Sequence, residues 1–215
     1  MIQQCFRDSW AVLRRPTVVS VQAHTRNDWR AAMLYLLLGT GLGALIQLAS
    51  NLLRAPLRAQ QRLQMMQRFG AGLPTQLMAL LQSPLGMVLV WSISLLLALA
   101  LWIGLPYGLA RLFGGTPALG AFAYASALFS TPLHVLAVIL GTVLNGGLAG
   151  LFLFLSLALV CVRTYLTYVS LQGVLGLPKG KAATVVLIPL LMLVGLSCIL
   201  AVALVLMLVA RGRAG

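Results

Sequence analysis

The chain has 215 residues, of which 61% are hydrophobic and 8% are charged. A soluble domain carries about 25% charged residues because its surface must be solvated. The net charge of +13 comes from 15 Lys and Arg against two acidic residues, and the basic residues lie in short segments between apolar runs, as in membrane proteins that face anionic headgroups. The composition therefore excludes a soluble globular domain, and the placement of the arginines argues against nucleic acid as a partner.

The scarcity of carboxylates limits the chemistry available to the chain. Asp8 and Asp28 are its two acids, both in the N-terminal segment, and it has no Glu. Cation-coupled transporters usually place carboxylates inside the membrane, and no nucleophile, base and acid occur together here, so we expect neither an enzyme nor a cofactor. The Cys and His residues match no zinc spacing, so we also expect no metal site. These residues are Cys5, His24, His134, Cys161 and Cys198.

Residues 1–30 are predicted to form an N-terminal interfacial segment, beginning with an amphipathic helix over 1–15 that Pro16 ends. The apolar side of this helix carries Ile2, Cys5, Phe6, Trp10 and Leu13, and the polar side carries Gln3, Gln4, Arg7, Asp8, Arg14 and Arg15. This pattern favours a helix lying flat at the headgroups. A disordered tail is the alternative, because so short a helix is marginal by itself.

Residues 31–215 are predicted to form an all-α transmembrane bundle of about five spans, because five apolar runs reach the roughly 20 residues that a bilayer requires. The predicted spans are 31–53, 85–113, 119–144, 148–171 and 182–210. Residues 54–84 are predicted to be an interfacial connector, with a solvated loop as the alternative. Five basic residues precede the first span, which favours a cytoplasmic N-terminus.

Glycines four residues apart allow helices to approach closely within a membrane. Such GxxxG spacing occurs in the first, second and fourth predicted spans, and these residues are candidate packing sites. The pairs are Gly39 and Gly43, Gly104 and Gly108, and Gly146 and Gly150.

Three polar or helix-perturbing residues inside the predicted spans are functional candidates. Pro132 frees a backbone carbonyl at membrane depth, and His134 follows it by two residues. A hydrogen-bonded packing role is the preferred interpretation of His134, because no carboxylate lies near it. Arg163 either extends its side chain to the interface or lines a polar cavity that attracts anions, and its late position in the fourth span favours the interface.

Several short motifs resemble the Yip-domain family of multi-spanning membrane proteins, and the chain looks closest to its bacterial members. The motifs are RLFGGT at 111–116, Tyr124, TPL at 131–133, Tyr165 and Tyr168, LPKGKA at 177–182, Ile188 with Pro189, and WAVLRRPT at 10–17. The resemblance implies a five-span fold with a cytoplasmic N-terminus and no catalytic residues. The acidic, aromatic N-terminal domain of the members that act in vesicle trafficking is missing, so their GTPase-binding role is not expected.

Two functions are consistent with these patterns. The first is a non-enzymatic scaffold or adaptor in a bacterial inner membrane, which binds lipid, another membrane protein or further copies of itself. The second is a small transporter or permease component, with Pro132, His134 and Arg163 lining a polar path. A cluster of these residues around a hydrated cavity favours transport, and separate burial favours the scaffold.

Overall fold

A computed structural model describes residues 2–53, 97, 100–116, 118–144 and 148–213, although the side chains of 51, 52, 100 and 149 and most of those beyond 192 are not among them. Within these ranges the regular structure is entirely helical. The helices are α1 (Ile2–Arg14), α2 (Val18–His24), α3 (Trp29–Leu53), α4 (Leu105–Leu112), α5 (Leu119–Val143), α6 (Ala149–Leu175) and α7 (Lys179–Arg213). A π-helical turn, Ala100–Gly104, leads directly into α4.

Three helices are long and apolar enough to cross a membrane, namely Trp29–Ser50, Leu119–Val143 and Gly150–Leu175. They confirm the prediction of an all-helical protein with membrane-length helices. Much of the predicted span 85–113 and all of the connector 54–84 lie outside the described residues, as do 145–147 with Gly146. The predicted fifth span, 182–210, lies within α7, which continues through Pro189.

Local capping chemistry fixes where several helices begin and end. Thr17 Oγ1 accepts a hydrogen bond from the Ser20 amide at 3.2 Å at the start of α2. Asp28 Oδ1 accepts from the Ala31 amide at 2.9 Å and caps α3 in the same way. Gly176 has φ of 67° and ends α6, because this left-handed conformation carries little penalty without a Cβ. The helix α6 therefore ends at Leu175, four residues beyond the predicted end of the fourth span, and Arg163 lies near its middle.

Burial divides the bundle into two halves, which we call the packed half and the open half. The packed half comprises α1, α2, residues 29–43 of α3, 119–131 of α5 and 166–177, and it contains most of the buried side chains. In the open half, residues 44–53, 132–144 and 148–162, no described side chain is buried. The change is abrupt on α5, where every residue of 122–131 is buried and none of 132–144 is.

The sequence explains this change along α5. Residues 119–131, LGAFAYASALFST, are rich in small side chains, which let neighbouring helices approach closely within a membrane. Residues 132–143, PLHVLAVILGTV, are mostly branched aliphatic side chains, which are as well solvated by lipid as by protein.

The N-terminal helices belong to the packed half, and α1 meets the bundle through a face that the sequence pattern did not indicate. Ile2, Phe6 and Trp10, from its predicted membrane-facing side, are exposed, whereas Asp8 and Ser9 are buried. Cys5 and Val12 are buried with them. The face of α1 that meets the bundle is thus the one whose polar groups find partners on α3 and α5.

Candidate functional site

Gly39 and Gly43 form the contact surface of α3 with α5. A Cβ at Gly39 would overlap Thr131 Cγ2 and lie 3.4 Å from Thr131 Cα. A Cβ at Gly43 would lie 2.9 Å from His134 Nε2. In addition, Thr131 Oγ1 donates a hydrogen bond to the Tyr35 carbonyl at 3.4 Å. The two glycines of the GxxxG motif in α3 therefore pack against α5 of the same chain. Their surface is not available for contact with a second copy of the chain.

Gly104 and Gly108 differ from the α3 pair. Both are exposed, and a Cβ at Gly108 would meet nothing within 4 Å. Gly150 is also exposed with open space around it. No helix among the described residues packs closely against these glycines.

Pro132 and His134 lie on α5, where burial ends. Pro132 is half-buried inside the helix, which continues through it. The His134 ring contacts α3 at Gly43 and is otherwise exposed. No hydrogen bond links the ring to any residue that the structure describes. The ring packs against α3 as the packing role requires, but without the predicted hydrogen bond.

Arg163 stands at the centre of α6, within one residue of the midpoint of Gly150–Leu175. Its guanidinium carbon lies 4.2 Å from the centre of the Trp102 ring, and its Nε is buried without a hydrogen-bond partner. A cation over an indole face is attracted by the ring's negative π surface. The side chain therefore turns onto Trp102, a contact that neither of the two sequence interpretations included.

The three polar candidates lie on two helices that contact each other, Pro132 and His134 on α5 and Arg163 on α6. A small cleft beside Trp102 has a volume of about 10 Å³, room for about one water molecule. Its lining consists of Trp102, Pro106, Thr164, Thr167, Val186, Pro189 and Leu190. Neither His134 nor Pro132 contributes to it.

A buried polar cluster at the junction of α1, α3 and α5 was missed by the sequence patterns. Tyr124 Oη donates to Asp8 Oδ2 at 3.0 Å and lies 3.7 Å from Cys5 Sγ. Ser9 Oγ donates to Tyr35 Oη at 2.9 Å. The available signal was the spacing of Cys5, Asp8, Ser9 and Val12, which places them on one stripe of a helix. Because two of these four side chains are polar, a search for apolar helix faces does not select this stripe, and its burial was not predicted.

Two motifs of the family resemblance meet in space, although they are far apart in the sequence. The Thr116 amide donates to the Leu175 carbonyl at 3.0 Å. Lys181 Nζ donates to the Phe113 carbonyl at 3.0 Å, at the end of α4. A lysine here satisfies a carbonyl that the helix leaves unpaired. The basic loop thus holds α4 against the start of α7.

The remaining thiols and histidines do not come together. Cys5 is buried, and Cys161 and Cys198 are exposed at separate places. No group of three or more potential metal ligands occurs within the described ranges.

Models of known protein families, curated proteins and solved structures give no match to this chain.

Replacing Arg163 by Lys should lower the stability of the folded chain by about 1 kcal/mol, the scale of a partly desolvated cation–π contact. Lysine keeps the charge but loses the planar group that stacks on Trp102. Chemical unfolding in mild detergent measures the change. Arg111→Lys is the matched control, because Arg111 makes one long hydrogen bond, 3.4 Å to the Gly115 carbonyl. Equal stability of Arg163→Lys and the unaltered chain would instead support a side chain that reaches the interface.

Proposed function

We propose that this chain is a non-enzymatic membrane scaffold or adaptor of the Yip-domain type, which binds another membrane protein or lipid in a bacterial inner membrane. The observation that carries the proposal is the division into a packed and an open half. A helix of a self-contained bundle buries one side along its length, whereas α6 has no buried residue in its described N-terminal half. A scaffold needs one part that holds its own fold and another that is free to receive partners.

The open half presents large apolar side chains on different sides of α6 over residues 150–162. Leu153 and Phe154, adjacent in sequence and on different sides of the helix, are 71% and 68% exposed. Leu157, one turn further on, is also exposed. Because lipid tails are as apolar as leucine, helix association in a membrane depends on shape and polar contacts. This surface is compatible with lipid and with a partner helix.

Photocrosslinking in native membranes tests the scaffold function directly. A photoreactive amino acid at Leu153 should give a discrete crosslinked product with another protein. The same amino acid at Val19, which is 74% exposed on α2, is the matched control and should give much less. Lipid adducts alone at Leu153, with no discrete protein product, would contradict a protein-binding scaffold.

A small transporter or permease component is the second candidate, and the buried Nε of Arg163, which has no hydrogen-bond partner, favours it. The test is flux of chloride or phosphate in proteoliposomes containing the full chain. Flux that Arg163→Gln abolishes would place transport ahead of the scaffold. Equal leakage of chloride or phosphate from these proteoliposomes and from protein-free vesicles would rule out the transporter function.

We further propose five spans with a cytoplasmic N-terminus, so the packed half, with α1 and α2, lies toward the cytoplasm. Reporter fusions at residue 1 and after residue 215 should then report opposite compartments, because an odd number of spans separates the two ends. A third fusion within 145–147 should report the side opposite to the N-terminus. Fusions at both ends that report one compartment would exclude an odd number of spans.

A further inference from the structure

We propose that Arg163 is the docking charge for an acidic transmembrane helix of a second, different membrane protein. The proposal rests on the scaffold function above and names the chemistry of the partner. Its basis is a cation in the middle of a membrane helix for which the chain contains no counter-ion. A charged side chain at this depth is costly, and such groups usually pair with one another or with backbone carbonyls.

The chain cannot neutralise Arg163 itself, and neither can a second copy of it. It has two carboxylates, and both are used elsewhere. Asp8 accepts a hydrogen bond from Tyr124, and Asp28 caps α3. Residues 54–96, none of which the structure describes, contain neither Asp nor Glu. A homo-oligomer would add further arginines without adding a free carboxylate.

The depth of Arg163 argues against a lipid headgroup as its partner. At about 1.5 Å per residue, the centre of Gly150–Leu175 is roughly 18 Å from each end of the helix. The stacking on Trp102 holds the guanidinium at this level. A partner helix that crosses the membrane can place a carboxylate at the same depth.

Arg163 lies at the edge of the open half of α6 and keeps part of its surface accessible. Its Nε is buried, but the residue as a whole is only half-buried, and its guanidinium makes no hydrogen bond to any residue within the described ranges. The open half of α6 begins at the next residue toward the N-terminus, with Leu157 62% exposed and Val160 also exposed. A partner can therefore combine apolar contact along 150–162 with a carboxylate at Arg163, where the fork-shaped guanidinium binds both carboxylate oxygens.

The test uses the full chain and two synthetic transmembrane peptides in vesicles of neutral phosphatidylcholine. The peptides are identical Leu/Ala helices with one central Glu or one central Gln, and resonance energy transfer between labels measures their association with the chain. We expect the Glu peptide to associate more tightly than the Gln peptide, by about 3- to 20-fold, the range of polar contacts between membrane helices. Arg163→Gln should remove this difference, and Arg111→Gln, the matched control, should retain it.

Equal association of the two peptides with the unaltered chain would overturn the proposal, and this comparison holds even if Arg163→Gln does not fold. A preference that disappears when anionic lipid is added to the vesicles would assign Arg163 to lipid and would also overturn it. Crosslinking at Leu153 distinguishes failure of the scaffold function from failure of the docking charge at Arg163. A discrete protein product whose yield Arg163→Gln leaves unchanged would support the scaffold and reject the docking charge.

Discussion

Gly39→Ala should destabilise the folded chain by about 1–3 kcal/mol, the usual cost of overpacking a close contact. The new methyl group would overlap Thr131 Cγ2 and approach the α5 backbone, so α3 and α5 would have to separate. Thr131 cannot turn away freely, because its hydroxyl donates to the Tyr35 carbonyl and its side chain is buried. Chemical unfolding in mixed micelles measures the loss.

Gly41→Ala is the matched control, since it lies on the same helix with nothing within 4 Å of its added Cβ. It should be neutral or slightly stabilising, because alanine favours a helix more than glycine does. Gly43→Ala should fall between the two, as the His134 ring against it is exposed and can move. Equal effects at Gly39 and Gly41 would mean that the α3–α5 contact does not depend on the glycine groove.

Asp8→Ala should release α1 from the bundle at a cost of about 1–3 kcal/mol, because it leaves the buried Tyr124 hydroxyl without its acceptor. Asp8→Asn keeps an oxygen at the same place and should cost less. The rate of maleimide labelling at Cys5, which is 2% exposed, reports the release. The labelling is measured with the two exposed cysteines, Cys161 and Cys198, replaced by alanine.

Tyr124→Phe should increase Cys5 labelling to a similar extent, and its combination with Asp8→Ala should be far from additive, since both remove one hydrogen bond. Labelling of Cys5 that none of these changes accelerates would contradict the role of the Asp8–Tyr124 pair in holding α1.

Hydropathy predicted the membrane helices because lipid requires a long apolar surface whatever the helix packs against. The three helices of membrane length overlap predicted spans closely, since only their ends depend on local chemistry. The predicted fourth span ended at 171, four residues before the end of α6. Gly176, with its left-handed backbone, is the residue that ends the helix.

Helix contacts were harder to predict than helices. GxxxG spacing occurs at 39 and 43 and at 104 and 108, but the first pair faces Thr131 and His134 while the second is exposed. GxxxG spacing creates a shallow groove on one helix, but it does not determine which neighbouring helix packs into that groove. The packing face of α1 was missed for a related reason. The face of α1 that packs against the bundle is the one that hydrogen-bonds with Tyr35 and Tyr124, which lie far away in the sequence.

The position of Arg163 could be judged only once the true end of α6 was known. Arginine near the end of a span extends to the interface on its apolar stem. Near the centre of a helix of membrane length, Arg163 instead contacts Trp102. The sequence does show that most basic residues lack an acidic partner within the chain, since it has two acidic residues and 15 basic ones.

The most direct test of the scaffold function is the mass of the protein extracted from its own membrane within native lipid discs. We expect a complex in which a second membrane protein accompanies the chain in a fixed ratio. Phe154→Ala, in the open half, should reduce that ratio, whereas Val19→Ala, at an exposed position of the packed half, should not. Recovery of the chain with lipid alone, in the unaltered protein as in both variants, would contradict a scaffold that binds membrane proteins.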